Sequence, residues 1–234
     1  KKLFEPYVRL QRAAPAERWS PFLRNHDQTR TMTVLGGDVA RNKMAVTLLL
    51  TLPGLPFIYY GEEIGMTGDK PDPRLRTPMH WRRGPAAGFT QGPAWEPLQP
   101  DSMTANVEAQ DGDPHSLLNL HRRLIHLRGA NSALGAGELV PLTASSDAVA
   151  AYLRRDAQRT VLIIANLGTT ALARVAVTSP DRAVPAGRYA ITSLLGGPPA
   201  QALRVTSNGR VHRYAPLPSL GPMEVHVLEL ARAR

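Results

Sequence analysis

The sequence predicts an α/β unit followed by an antiparallel β-sandwich, with the change near residue 134. Two observations carry this. Between residues 22 and 63, short apolar runs flank a helix-compatible segment and end in polar groups, the rhythm of an α/β barrel or an open parallel sheet. Beyond residue 134, apolar residues recur at every second position between turn residues, which is the pattern of antiparallel strands.

Phe22-Leu23 leads into Arg24-Asn25-His26-Asp27, an apolar run closing on polar side chains. Asp38 is placed to cap a helix over 39–52, because its carboxylate can accept from unpaired first-turn amides. Pro53-Gly54 stops that helix. Pro56-Phe57-Ile58-Tyr59-Tyr60 is a contiguous apolar run, expected as a parallel strand buried on both faces and ending at Gly61-Glu62-Glu63. From 65 to 110 regular patterning disappears. Pro, Gly and Asp dominate there, and Trp81, Phe89 and Trp95 suggest an ordered, functional loop with its aromatics buried. Asp113-Pro114 is expected to open a helix as N-cap and first residue. Leu117, Leu120, Leu124 and Leu127 form its apolar stripe, and Arg128-Gly129 closes it. Strands are then expected at 138–142, 149–155, 160–167, 173–177, 188–194, 210–214 and 224–230.

Composition narrows the function classes. The 234 residues carry 28 basic and 19 acidic side chains, a formal net charge of +9. No basic run exceeds two residues and aromatics make up 6%, so the charge is dispersed rather than gathered into a nucleic-acid footprint. There is no cysteine, which excludes disulfides, thiolate metal sites and cysteine nucleophiles. The uncharged stretch from Met44 to Gly61 is interrupted by Pro53, Gly54 and Pro56, so no membrane span is expected. The chain begins Lys1-Lys2-Leu3-Phe4, and no targeting segment is visible.

The candidate chemistry centres on Asn25-His26-Asp27. Barrel enzymes place catalytic groups at the carboxyl ends of strands. A carboxylate beside an imidazole can hydrogen-bond two adjacent hydroxyls of one sugar ring, although the same pair also reads as a local strand cap. Consecutive strand side chains point to opposite faces, which excludes a Ser-His-Asp arrangement. His115, His121 and His126 lack the i,i+4 spacing of a helical zinc site and are expected on a solvated face.

Phe22-Leu23-Arg24-Asn25-His26-Asp27-Gln28 resembles the fourth conserved region of the α-amylase family, glycoside hydrolase family 13. The run from Leu48 through Pro53-Gly54 to Tyr60-Gly61-Glu62-Glu63-Ile64-Gly65-Met66 is similar to that family's seventh helix, eighth barrel strand and following turn. Arg76-Thr77-Pro78-Met79-His80-Trp81, Ala87-Gly88-Phe89-Thr90 and Asn106-Val107-Glu108-Ala109-Gln110 continue the resemblance in order. It covers the whole chain and is sharpest between Phe22 and Arg128.

The resemblance implies a (β/α)8 TIM barrel followed by an antiparallel C-terminal domain. It makes Asp27 the carboxylate that stabilises an oxocarbenium-like transition state, His26 a ligand of the same sugar's hydroxyls, and Asn25 a support for the strand end. Arg76 becomes a candidate on the acceptor side of the cleft, or a tether between the loop and the barrel rim. His80 stands where many oligosaccharide-acting members have Gln. Trp81, Phe89 and Trp95 either stack on sugars or anchor the loop, and Glu62 and Glu63 belong to a structural turn.

The retaining mechanism also needs a nucleophile and a general acid, which the family carries on a Gly-x-Arg-x-Asp segment of the fourth strand and at the end of the fifth. No segment of this chain resembles either. The chain is therefore expected to be the C-terminal portion of a larger α-amylase- or α-glucosidase-like enzyme. Residues 1–134 would be the last strands and helices of an incomplete barrel, and 135–234 the sandwich. Its partners would be an α-glucan or oligosaccharide substrate and the missing N-terminal barrel segment, in the same or a separate chain, with no nucleic acid and no membrane. No cofactor is expected in this chain, and calcium only in the missing part. The alternatives are a transglycosylase or isomerase such as trehalose synthase, or a non-catalytic scaffold, against which the presence of both His26 and Asp27 speaks.

Overall fold

In the C-terminal half, period-two patterning produces a hairpin at its centre. Strands β3 (Val149–Arg155) and β4 (Thr160–Asn166) pair antiparallel from Arg155↔Thr160 to Val149↔Asn166. The Asp156 carboxylate closes the turn by accepting from the amides of Gln158 and Arg159, each at 2.7 Å, as Asx turns do. This hairpin sits inside a six-stranded antiparallel sheet of order β1-β3-β4-β10-β7-β8. The other members are β1 (Glu138–Pro141), β7 (Gly187–Ser193), β8 (Leu203–Val205) and β10 (Val225–Arg232). A computed structural model provides these coordinates, and residues 3–233 are described.

One sheet face, with Ala151, Leu153, Leu162, Ile164, Leu228 and Leu230, forms a common core with Val175, Val177, Val211, Tyr214, Leu217 and Leu220. The segments that supply this cover pair only briefly, β2 (Thr143–Ala144) with β6 (Val177–Thr178) and β5 (Leu172–Ala173) with β9 (Ser219–Leu220). The strand expected over 173–177 is split, and Arg174 between its pieces takes a left-handed φ of 45°. The strand expected over 210–214 reduces to a single bridge, Val177↔Tyr214. The pairing of Leu203–Val205 with β7 was not expected from the pattern.

The opposite face of the hairpin is buried as well, so that every residue of β4 is inaccessible. Helix α1 (Glu5–Ala13), also unanticipated, follows Phe4, whose ring meets Tyr152 edge-on at 5.1 Å. The buried guanidinium of Arg154 and the half-buried one of Arg128 satisfy carbonyls nearby. Arg154 donates to Thr51 O at 2.6 Å and to Gly137 O at 2.8 and 3.2 Å. Arg128 donates to the carbonyls of Leu50, Leu52 and Gly54. Burial, and then the Arg128 charge, lower the Arg154 pKa to about 9, so the group is charged at neutral pH and its bonds are charge-assisted.

The chain divides into two compact units. The one just described takes the segment through Trp19, Leu50–Leu55 and everything from His126 onward. The other takes Ser20–Leu49 and Pro56–Ile125. Here α2 (Thr31–Val34) precedes α3 (Val39–Thr51), and Asp38 Oδ1 caps α3 as expected, accepting from Ala40 and Arg41 amides at 2.9 and 3.1 Å. The 56–60 run departs from expectation. It makes one parallel bridge, Phe22↔Phe57, and Phe57 is 64% exposed rather than covered on both faces. With the Phe57 amide bonded to Pro21 O at 2.9 Å, this bridge is its only ladder partner among the described residues.

The 65–110 segment is ordered by short helical turns and by α4 (Val107–Asp111), which Asn106 Oδ1 caps through Ala109 N at 2.7 Å. Ile64, Met66, Met79 and Leu118 form its core. Helix α5 (Leu117–Ala130) begins later than Asp113-Pro114 suggests. Asp113 instead accepts from His115 N, while Ser116 Oγ accepts from Asn119 N at 3.1 Å as the working cap. The chain ends its helical series with α6 (Ser132–Gly135). No helix among the described residues is long and apolar enough to cross a membrane.

Replacing Arg154 with Ala leaves buried carbonyls of Thr51 and Gly137 without this donor. The urea unfolding free energy is expected to fall by about 3 kcal/mol, the upper range for charge-assisted bonds.

Candidate functional site

After the Phe22↔Phe57 bridge the chain leaves the extended state and turns. Asn25 Oδ1 accepts from Asp27 N at 3.0 Å and Asn25 O accepts from Gln28 N at 3.2 Å. His26 and Asp27 therefore lie within a turn, and the alternation expected of strand neighbours does not apply to them. Their side chains meet, with His26 Nε2 3.3 Å from Asp27 Oδ2, and both are more than half exposed. Asn25 acts on this pair through the backbone.

Arg76 ends the helical turn Asp72–Leu75. Its Nη2 donates to Asp27 Oδ1 at 2.7 Å and to Asp72 Oδ2 at 3.4 Å, and its Nε donates to His26 O at 3.2 Å. All four sequence-derived site residues are thus brought together. The Lys70 ammonium bonds Asp72 and holds that carboxyl below its ordinary pKa, while the Thr29 hydroxyl does the same for Asp69 at 2.6 Å. A carboxylate and an imidazole side by side present the acceptor and donor atoms that vicinal hydroxyls require.

Behind this cluster lies Arg30, fully buried. Its Nη1 donates to Tyr60 O at 2.7 Å and stands 3.6 Å from Glu62 Oε1. Its guanidinium carbon lies 4.6 and 4.9 Å from the ring centres of Tyr59 and Tyr60, within cation–π range. The tyrosine hydroxyls donate to Leu75 O and Thr77 O, at 3.1 and 2.6 Å. Burial raises the pKa of both Glu62 and Glu63. Glu62 also accepts from Thr31 N, which gives this carboxylate a structural use. Gly61 and Gly65 flank it at φ 82° and 74°, a conformation that favours glycine.

The other expectations resolve individually. His80 is buried, with Nδ1 3.0 Å from Ala105 O, and desolvation lowers its pKa. A neutral ring donating from Nδ1 fits this environment. His121 is a correction, because it is buried rather than on a solvated face, with Nδ1 2.9 Å from Leu117 O. The loop aromatics are a second correction. Trp81, Phe89 and Trp95 are 51%, 50% and 62% exposed. Sequence spacing missed Arg30 and Asp72, since neither stands at a distance from Asp27 that carries meaning without the fold. Among the described residues, no group of three or more His, Asp or Glu is set to hold a metal ion.

The family model described as "Alpha amylase, catalytic domain" matches residues 1–137. The chain belongs to the α-amylase family. Its α-amylase-family relatives include α-amylase 3 of Dictyoglomus thermophilum, 33% identical over 149 residues, covering 62% of this chain and 29% of that protein. The trehalose synthase of Thermus thermophilus is 35% identical over 192 residues, covering 64% and 20% respectively. The crystal structure of an α-amylase from H. orenii superposes with a TM-score of 0.65 at 33% identity, over 90% of this chain and 39% of that one. The chain thus spans well under half the length of these relatives.

Substituting Arg30 with Ala removes the charge partner of the buried Glu62 carboxyl, and a loss of about 3–5 kcal/mol is expected in thermal melts followed by circular dichroism. The double variant Arg30→Met, Glu62→Gln is expected to recover part of that loss.

Proposed function

We propose that this chain is part of a retaining glycoside hydrolase acting on α-glucosidic bonds of α-glucans or oligosaccharides. The observation that carries the proposal is the His26–Asp27 pair, joined to Arg76 and presented where a parallel-bridged segment ends. Asp27 stabilises the positive charge that develops on the reacting sugar. His26 binds hydroxyls of that sugar, and Asn25 holds the turn through Asp27 N. Arg76 orients the Asp27 carboxylate from the acceptor side. The nucleophile and general acid, about 5–5.5 Å apart in retaining enzymes, are assigned to no residue of this chain. In this proposal the 22–60 region is the last strands of a (β/α)8 barrel, and the six-stranded sheet with its short covering pairs is the terminal sandwich.

A second reading, glycosyl transfer within the substrate, is favoured by the long match to trehalose synthase. Product analysis on maltose separates the two, because hydrolysis yields glucose and internal transfer yields trehalose.

In the full-length enzyme, Asp27→Asn is expected to lower kcat by about 10²–10³-fold, the effect of removing one preorganised electrostatic partner of a transition state, with the fold intact by circular dichroism. Near-normal kcat would reduce the motif to a turn cap. The chain by itself is expected to show no turnover of a nitrophenyl α-glucoside or of maltooligosaccharides. Clear hydrolysis would overturn the assignment of nucleophile and acid outside it.

A further inference from the structure

At one end of the six-stranded sheet, Arg188 of β7 is set directly opposite Arg204 of β8. Their neighbours Tyr189, Leu203 and Val205 belong to the common core, so the two arginines share the other face of the sheet, and both are exposed. Like charges directly opposite one another in a sheet destabilise it. A nearby carboxylate would relieve the pair, and this face supplies none. The next positions on it are Ala190 of β7 and its partner Ala231 of β10, which are uncharged and too small to cover the arginines. Glu229, one step further along β10, is already held by Arg159 at 3.6 Å and by Asn131 at 3.3 Å. Neither Arg188 nor Arg204 has a side-chain hydrogen bond or an ion pair among the described residues. The pair borders a groove of about 490 Å³, lined by Gly187, Arg188, Arg204, Val205, Thr206 and Ser207. Two guanidiniums and two hydroxyl side chains thus line it, and no carboxylate does. A third guanidinium comes close to Gly187: Arg232 Nη2 donates to Ala186 O at 2.7 Å, and a Cβ on Gly187 would lie 2.9 Å from Arg232 Nε.

We propose that Arg188 and Arg204, with the Thr206 and Ser207 hydroxyls, form a site for a phosphate monoester, borne by a free sugar phosphate or by a phosphorylated glucan. The planar guanidinium fork matches phosphate oxygens in pairs, and a dianion between the two side chains cancels the repulsion that the strand register builds in. The site uses no residue of the His26–Asp27 cluster, so it is independent of the reaction proposed above.

The test is calorimetric titration of the full-length enzyme with inorganic phosphate and with glucose 6-phosphate at constant ionic strength, alongside thermal melts followed by circular dichroism. Arg188→Gln and Arg204→Gln are each expected to raise the phosphate dissociation constant about tenfold, the loss of one charge-assisted partner. Arg204→Lys, which keeps the charge and loses the fork, is expected to raise it about threefold. Asp27→Asn is expected to leave phosphate binding unchanged. Without phosphate, Arg188→Gln is expected to melt above the parent, because the facing charge is gone, and phosphate is expected to raise the melting temperature of the parent more than that of the variant. Absence of phosphate binding, or binding that Arg188→Gln and Arg204→Gln leave intact, overturns the site. Electrophoresis through gels containing phosphorylated amylopectin separates the two sources. Retardation that is lost after phosphatase treatment of the glucan, and lost in the double variant, assigns the site to glucan-borne phosphate. Unchanged migration together with glucose 6-phosphate binding assigns it to free sugar phosphates. Tighter binding of DNA or of phosphatidylglycerol vesicles through the same arginines would overturn the assignment to monoesters.

Discussion

The buried guanidinium of Arg30 organises the unit that carries the candidate site. A charge removed from water needs near and well-oriented partners, or burial becomes prohibitive. Arg30 meets that demand with the Tyr60 carbonyl, the faces of Tyr59 and Tyr60, and the Glu62 carboxylate. Its amide adds a bond to Gly68 O at 3.0 Å. Each partner then constrains something else. The two tyrosine hydroxyls grip the carbonyls of Leu75 and Thr77, the neighbours of Arg76 on either side. Arg76 and Asp27, 49 positions apart in sequence, come into register because one buried cation fixes the backbone that leads to both.

The other unit uses the same chemistry for a different end. Arg154 and Arg128 place their donors on main-chain carbonyls at the end of α3, in the turn after it and at Gly137. These six bonds from two side chains would be weak evidence of stability at a surface. Arg154 is fully buried and Arg128 half-buried, and charge-assisted bonds to main-chain carbonyls there are worth more than at a surface, so both arginines act as structural parts. The formal charge of +9 therefore overstates how much positive charge faces solvent.

Much of this was legible in the sequence. The apolar run Val149–Leu153, bounded by polar turn residues, located β3 although both its faces are buried, and the apolar residues of 224–230 located β10 closely. Asp38 identified the start of α3 through a local bond, and the Phe22–Gln28 motif pointed to the residues that meet at the site. What escaped depends on distant partners. Three-residue and two-residue strands such as Leu203–Val205 carry too few alternations to register, and their pairing is decided by the core they cover. Asp113-Pro114 is a sound local helix start, but the Ser116 hydroxyl, with α5 behind it, caps instead. The burial of Arg30 is invisible because an arginine among polar neighbours resembles a surface residue until the aromatic rings around it are known.

The completely buried strand β4 has a meaning for the chain before it folds. Thr160-Val161-Leu162-Ile163-Ile164-Ala165-Asn166 is uncharged, rich in β-branched residues and free of proline, the composition of segments that self-associate when exposed. Its flanks carry Arg154, Arg155 and Arg159. Charges at the borders of such a run act as gatekeepers, since stacking identical copies would bring like charges together. Arg154, Arg155 and Arg159 all precede β4, at the end of β3 and in the turn, where like charges oppose the stacking of identical copies, and Arg154 is fully buried in the folded sheet.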